Sequence, residues 1–232
     1  MADFTQKNLE TLIDFFNIVD QWSSGYPIKK ITVPQLTKTE SGATINSIAE
    51  KIYHCNRCQL CKTRKNTVPG TGVENPLVMV IGEGPGADED DQGLPFVGKA
   101  GQLLDKMLDA IQLSRSSNCF ITNVVKCRPP MNRDPLPEEM EACISFLQAQ
   151  IHLLKPKMIL GLGRIATHTL LQCETPISKI HGQLTLYKGI PFMATYHPSA
   201  LLRDPSLKRP AWEDLKLFRE KLLELVPGYN EG

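Results

Sequence analysis

No stretch of this 232-residue sequence is apolar for the roughly 18–20 residues needed to cross a bilayer, so no membrane partner is expected. The opening residues, MADFTQKNLETLIDFFNIVDQW, carry acids inside their apolar pattern and lack a basic start and a small-residue cleavage site. A secretory signal is therefore not expected, and the cytoplasm is the expected location. Charge of one sign is also missing. With 26 Lys+Arg against 25 Asp+Glu, a net charge of +1 offers no global field for nucleic acid. The basic residues cluster locally instead, as KTRK at 62–65, KCRPPMNR at 126–133 and LLRDPSLKR at 201–209. No internal repeat is visible.

Seven cysteines are present, but the patterns that would fix their use are not. A cytoplasmic chain argues against disulfides and for a metal or a reactive thiol. In HCNRCQLCK, Cys55, Cys58 and Cys61 stand at steps of three, while Cys119, Cys127, Cys143 and Cys173 stand alone. A zinc ribbon needs a second close pair. A bacterial ferredoxin run needs a fourth Cys followed by Pro, and Cys61 is followed by Lys-Thr-Arg-Lys. One close pair plus two distant thiols suits a four-thiolate site assembled by tertiary folding. Lone cysteines such as Cys119 and Cys173 read as small buried hydrophobes.

Phosphate-binding motifs are approached and missed. GLPFVGKA at 93–100 has the glycines and lysine of a Walker A loop, but Ala100 stands where Ser or Thr should hold magnesium. In GEGPG, Pro85 and Gly86 break the dinucleotide spacing. Asp88, Glu89, Asp90 and Asp91 crowd the same loop and would repel a polyphosphate. Glycine here more plausibly lets backbone approach a flat ligand closely, with Glu83 at the strand end available for chemistry.

What is present is an alternation of periods. Residues 5–22 read as an amphipathic helix and 23–44 as a polar linker, so 1–45 form an extension on a domain over 46–232. In that domain LVMVIG (77–82), CFITNVV (119–125) and MILGLG (158–163) read as buried strands, and LTLYKGIPFMATYHP as a hairpin ending in a strand. Helical patterns over NSIAEKIYHC, 99–113, 136–154, RIATHTLLQ and AWEDLKLFREKLLELV separate or flank them. The expected fold is α/β, a mostly parallel sheet covered on both faces. Ligands bind beyond the carboxyl ends of such strands. Here those ends carry Glu83-Gly84, Asn123, Gly161–Gly163 and His197-Pro198. A carboxylate, an amide and an imidazole would meet on one rim. The amide of Asn123, inside apolar ITNVVKC, is costly to bury unpaired. In YHPSALLR, two leucines beside Arg203 have the composition of a loop pushed into a duplex.

Taken in order, CNRC, GEGPGADEDDQGLPFVGKAGQLLD, ITNVVKCRPPMNRDP, EACISFL and HPSALLR resemble the uracil-DNA glycosylase superfamily, in its iron–sulfur branch, family 4. The resemblance runs from about Cys55 to Leu215. It implies a three-layer α/β/α sandwich and a [4Fe–4S] cluster on Cys55, Cys58, Cys127 and Cys143, with Cys61 outside the ligand set. It implies a pocket in which Gly82, Gly84 and Gly86 give close backbone, Phe96 stacks the base, Asn123 reads the uracil edge, and His197 donates to O2. The water-positioning acid falls to Glu83, with Glu89 second, because Gly84 stands where better-known branches place Asp. A related branch uses a histidine in a basic insertion near this CRPP segment; PPMNRDPLPEE has none, so turnover is expected. DNA contacts are expected from Lys62, Arg64, Arg128, Ser199, Leu201, Leu202, Arg203 and Lys208. The implied protein is a monomer that excises uracil from single- and double-stranded DNA. A non-catalytic iron–sulfur DNA-binding protein and a nucleotide-dependent transferase are the alternatives.

Overall fold

In the computed structural model, which describes residues 44–229, the apolar runs pair as the middle of one six-stranded sheet. The helix expected over 5–22 lies outside the described residues. The strands are β1 (Thr71–Gly72), β2 (Val78–Gly82), β3 (Cys119–Asn123), β4 (Met158–Leu162), β5 (Leu184–Tyr187) and β6 (Ile190–Thr195), in the order β1-β3-β2-β4-β6-β5. The central four run parallel, and β1 and β5 lie antiparallel at the edges. The sheet is thus mixed, and the mostly parallel expectation describes its centre. Hydrophobic periodicity gives no sign of the two-residue β1.

Eight α-helices are found among the described residues: α1 (Ile45–Tyr53), α2 (Ala87–Gln92), α3 (Lys99–Asp109), α4 (Pro137–Leu154), α5 (Gly163–Leu171), α6 (Ile177–Ile180), α7 (Pro198–Arg203) and α8 (Lys208–Leu225). β2 explains the layering. All five of its residues are buried, but alternate ones enter different cores. Val78 and Val80 pack with Leu104 and Leu108 of α3 and Leu215 and Phe218 of α8. Met79 and Ile81 pack with Ile52 of α1 and Phe146, Leu147 and Ile151 of α4. Both faces are therefore covered by helix, which is why the strands are apolar throughout rather than alternating.

Register positions the site. Gly82 lies opposite Asn123, and Leu162 opposite Thr195, so neighbouring strands end level. After Asn123 the chain folds back on the β2 exit, the Val124 N–H donating to Gly82 O (2.9 Å) and that of Val125 to Glu83 O (3.1 Å). β3 accordingly stops at Asn123 rather than at residue 125. The acidic run forms the short helix α2, with Asp88 and Asp91 exposed and Asp90 turned inward. Asp90 is buried and accepts from the backbone N–H groups of Lys65 and Asn66; Asp91 pairs with Lys65.

Candidate active site

Beyond the strand ends lies a cleft of about 470 Å³ whose walls include Glu83, Gly84, Gly86, Glu89, Phe96, Asn123 and His197. Gly82 sits behind this wall. A Cβ on Gly82 would stand 2.5 Å from both Asn123 Oδ1 and Phe96 Cζ, so only glycine lets amide and ring share the floor. Asn123 is 1% exposed, and its Oδ1 is one of two buried side-chain atoms among the described residues without a hydrogen-bond partner. An unpaired buried acceptor costs about 1–3 kcal/mol unless something else satisfies it.

Phe96 adopts φ 53°, a conformation that bulky side chains rarely take. Two groups hold it there. Arg115 donates from Nη1 to Pro95 O and from Nη2 to Phe96 O, both at 2.9 Å, while pairing with Asp105. Glu89 Oε1 accepts from the backbone N–H groups of Val97 (2.8 Å) and Gly98 (2.9 Å), and its Oε2 from that of Gly86 (3.0 Å). Two amides of the near-Walker loop, those of Val97 and Gly98, are therefore already taken by a carboxylate, which disfavours a phosphate at that point. Glu89 lines the cleft as a loop brace, and Glu83 lines it as well. Burial pushes the Glu83 carboxyl up and Asp134 adds to this, while Arg164 and Arg203 oppose it.

His197 closes the opposite wall, its ring centroid 5.7 Å from that of Phe96. It also caps α7: the Ser199 N–H donates to Nδ1 at 3.2 Å, and Ser199 Oγ lies 2.8 Å from the same nitrogen. Nδ1 is thus an acceptor, which assigns the ring proton to Nε2. Burial, with Arg203 nearby, pushes the imidazole down to about 4, so the ring is a neutral N–H donor at neutral pH. Gly163, at φ 81°, passes against this ring; a Cβ there would stand 2.8 Å from His197 Cβ.

Away from the cleft, Cys55, Cys58, Cys61, Cys127 and Cys143 all line one small cavity of about 10 Å³, together with Arg64 and Lys126. No group of three or more His, Cys, Asp or Glu able to hold a metal ion is found among the described residues. Burial pushes the thiols of Cys58 and Cys143 up and that of Cys127 to about 11. Arg64 turns toward this cavity, donating to Cys127 Sγ (3.1 Å) and Cys55 O (2.7 Å). Arg64, expected above as a DNA contact, thus has its guanidinium engaged by one thiol and one backbone carbonyl. Cys61, set outside the ligand set above, joins the wall. Cys119 is buried in the core, and burial pushes its thiol up to about 12.

Of the other residues expected to contact DNA, Ser199 and Arg203 line the cleft. Lys62, Leu202 and Lys208 are exposed, and Arg128 is half-buried with its Nε donating to Asn132 Oδ1. Leu201 differs: it is 2% exposed and packs with Tyr196 and Ala211. The paired leucines thus split into one anchor and one protruding side chain, as the helical turn of α7 dictates. Sequence reasoning missed Arg115, Lys126 and Arg164. Arg164 reaches the cleft wall beside its partner Asp134. Only the burial of a lysine inside apolar TNVVKC offered a signal for Lys126.

Against known proteins, the uracil DNA glycosylase superfamily matches residues 69–216. A Type-4 uracil-DNA glycosylase of Pyrobaculum aerophilum is 43% identical over 182 residues, 75% of this chain and 92% of that protein. One from Archaeoglobus fulgidus is 42% identical over 185 residues, covering 76% and 92%. A bacterial one, from Thermotoga maritima, is 40% identical over 173 residues, covering 73% and 90%.

Proposed function

The chain belongs to the uracil DNA glycosylase superfamily, and we propose that it extrudes uracil from DNA and hydrolyses its N-glycosidic bond, leaving an abasic site. The observation that carries this reading is the orphaned Asn123 Oδ1 on the cleft floor. Uracil presents a donor, N3–H, beside an acceptor, O4, and one carboxamide satisfies both. Cytosine presents an acceptor at N3 and would leave Oδ1 unpaired, a penalty of about 1–3 kcal/mol. Phe96, held rigid from both sides, offers its face to the flipped base, and stacking returns about 1–3 kcal/mol of the extrusion cost.

Breaking the C1′–N1 bond sends the electron pair into the uracil ring, with charge gathering on O2. A neutral Nε2–H from His197 stabilises that charge without first giving up a proton. Donors of this kind are worth about 100–1,000-fold in rate. The departing sugar becomes electron-poor at C1′. The Glu83 carboxylate orients a water toward that carbon and offsets the positive charge; the water adds its oxygen to C1′ and releases its proton to the acid. Arg203, with Lys62, Arg128 and Lys208, supplies phosphate contacts, and Leu202 the wedge into the vacated stack. Uracil-containing DNA, single- or double-stranded, is the partner, and the protein acts as a monomer. No helix among the described residues is long and apolar enough to cross a membrane.

The cysteine cavity fits a [4Fe–4S] cluster in its chemistry: a donor set of thiols alone, too dispersed for one ion and faced by a guanidinium. Cys55, Cys58, Cys127 and Cys143 would hold it as thiolates. Bound there, it would cross-link the segment before β1, the turn after β3 and α4. An absorbance near 400 nm and iron content test this directly.

The deciding experiment is an abasic-site assay on oligonucleotides bearing uracil, hypoxanthine or xanthine, repeated with Asn123→Ala. The expected result is excision of uracil, strongly slowed but still measurable in the variant. DNA binding without strand sensitivity to alkali would return the non-catalytic alternative, which the relatives' names disfavour.

A further inference from the structure

Lys126 is completely buried, yet none of its side-chain acceptors is charged. Its Nζ donates to Thr122 Oγ1 (2.5 Å), to the backbone oxygen of Asn123 (2.7 Å) and to Gln150 Oε1 (2.8 Å). The acceptors are themselves fixed: Gln150 Nε2 donates to Pro69 O at 2.7 Å and Thr122 Oγ1 to the same oxygen at 3.0 Å. Pro69 precedes β1, and Gln150 belongs to α4. The Lys126 amine therefore ties the last two residues of β3 to α4 and, through Gln150 and Thr122, to the segment before β1. Burying a polar amine costs free energy even when its hydrogen bonds are met. A hydrocarbon side chain would fill the same space, so shape alone does not account for a lysine here.

We propose that Lys126 is a positioning residue for Asn123. Lys126 Nζ holds the Asn123 carbonyl where the chain turns out of β3. Clamping that carbonyl fixes the residue's backbone, and with it the direction of the unpaired Oδ1. The same residue also lines the cysteine cavity. One residue thus joins the thiol wall to the base-reading amide, so that displacement of the cysteines is felt at Asn123. This inference rests on the reading of Asn123 as the group that recognises uracil.

The test is a double-mutant cycle in single-turnover excision of uracil from duplex DNA, with Lys126→Met and Asn123→Ala. Small misplacements of catalytic groups cost up to about 100-fold, so Lys126→Met is expected to slow excision about 10- to 100-fold. Affinity for the DNA and the iron content should stay as in the unaltered protein. Added to Asn123→Ala, the same change is expected to do little, because its effect passes through Asn123. Equal slowing in both backgrounds, or none in either, would overturn the proposal. If Lys126→Met does not fold, Thr122→Val and Gln150→Met each remove one acceptor, and the same non-additivity with Asn123→Ala is required. An unaltered protein that leaves uracil in place, or an Asn123→Ala variant at full rate, would instead remove the functional reading itself.

Discussion

The cleft and the cysteine cavity are the two places where this fold gathers chemistry, and they are built in opposite ways. The cleft is roomy, about 470 Å³ against about 10 Å³, and its groups come from the ends of parallel strands. Strand register fixes where Glu83, Asn123 and His197 emerge, and local bonds only tune their direction. The cysteine cavity draws on a helix exit, a 3₁₀ turn, the β3 turn and α4, so no sheet register positions it. The cleft leaves an acceptor unpaired for a ligand. The cavity leaves thiols pushed up by burial, to be satisfied together. Substitutions in the first should therefore change rate and spare stability, and in the second the reverse.

The largest expected effect breaks the comparison if it fails. His197→Gln should slow single-turnover excision about 100–1,000-fold, the worth of one charge-stabilising donor, with the melting temperature nearly unchanged. Comparable unfolding would move His197 to the structural side. Next, the two leucines of α7 should separate. Leu201→Ala is expected to destabilise the protein by about 3 kcal/mol as a core truncation, read by chemical denaturation. Leu202→Ala should leave stability alone and slow excision from duplex DNA more than from single strands.

A pH titration sharpens the contrast further. The His197 imidazole sits near 4 in the folded protein against 6.5 when free, so the unfolded chain binds the extra proton between those values. Stability should then fall as pH drops from about 6.5 toward 4, by no more than about 3 kcal/mol given the partial exposure of the ring. The His197→Gln variant should lack that slope, while rates set by the neutral ring stay level above about pH 5. The smallest effect concerns two arginines. Arg203→Ala should reduce the salt slope of DNA binding by about one unit, as loss of one phosphate contact does. Arg64→Ala should leave that slope alone and weaken iron retention.

The central strands, the major helices and the rim residues were all legible from periodicity, because a strand buried on both faces leaves an unmistakable apolar run. Legibility stopped where function depends on tertiary hydrogen bonds. The acids of α2 looked alike in the sequence, yet Asp90 anchors a loop, Asp91 pairs with Lys65 and Glu89 braces Phe96. Nothing in the string KTRK separates Lys62, which faces solvent, from Arg64, which faces sulfur. Arg115 was invisible because its targets are backbone carbonyls about twenty residues away in a loop of unforeseen conformation.

The most direct test is a crystal structure of the protein with uracil bound. The account predicts the base in the cleft, its ring on Phe96, N3–H within hydrogen-bond reach of Asn123 Oδ1 and O2 facing His197 Nε2. A base bound in the cleft with Asn123 Oδ1 still unpaired, or bound elsewhere on the surface, would contradict it.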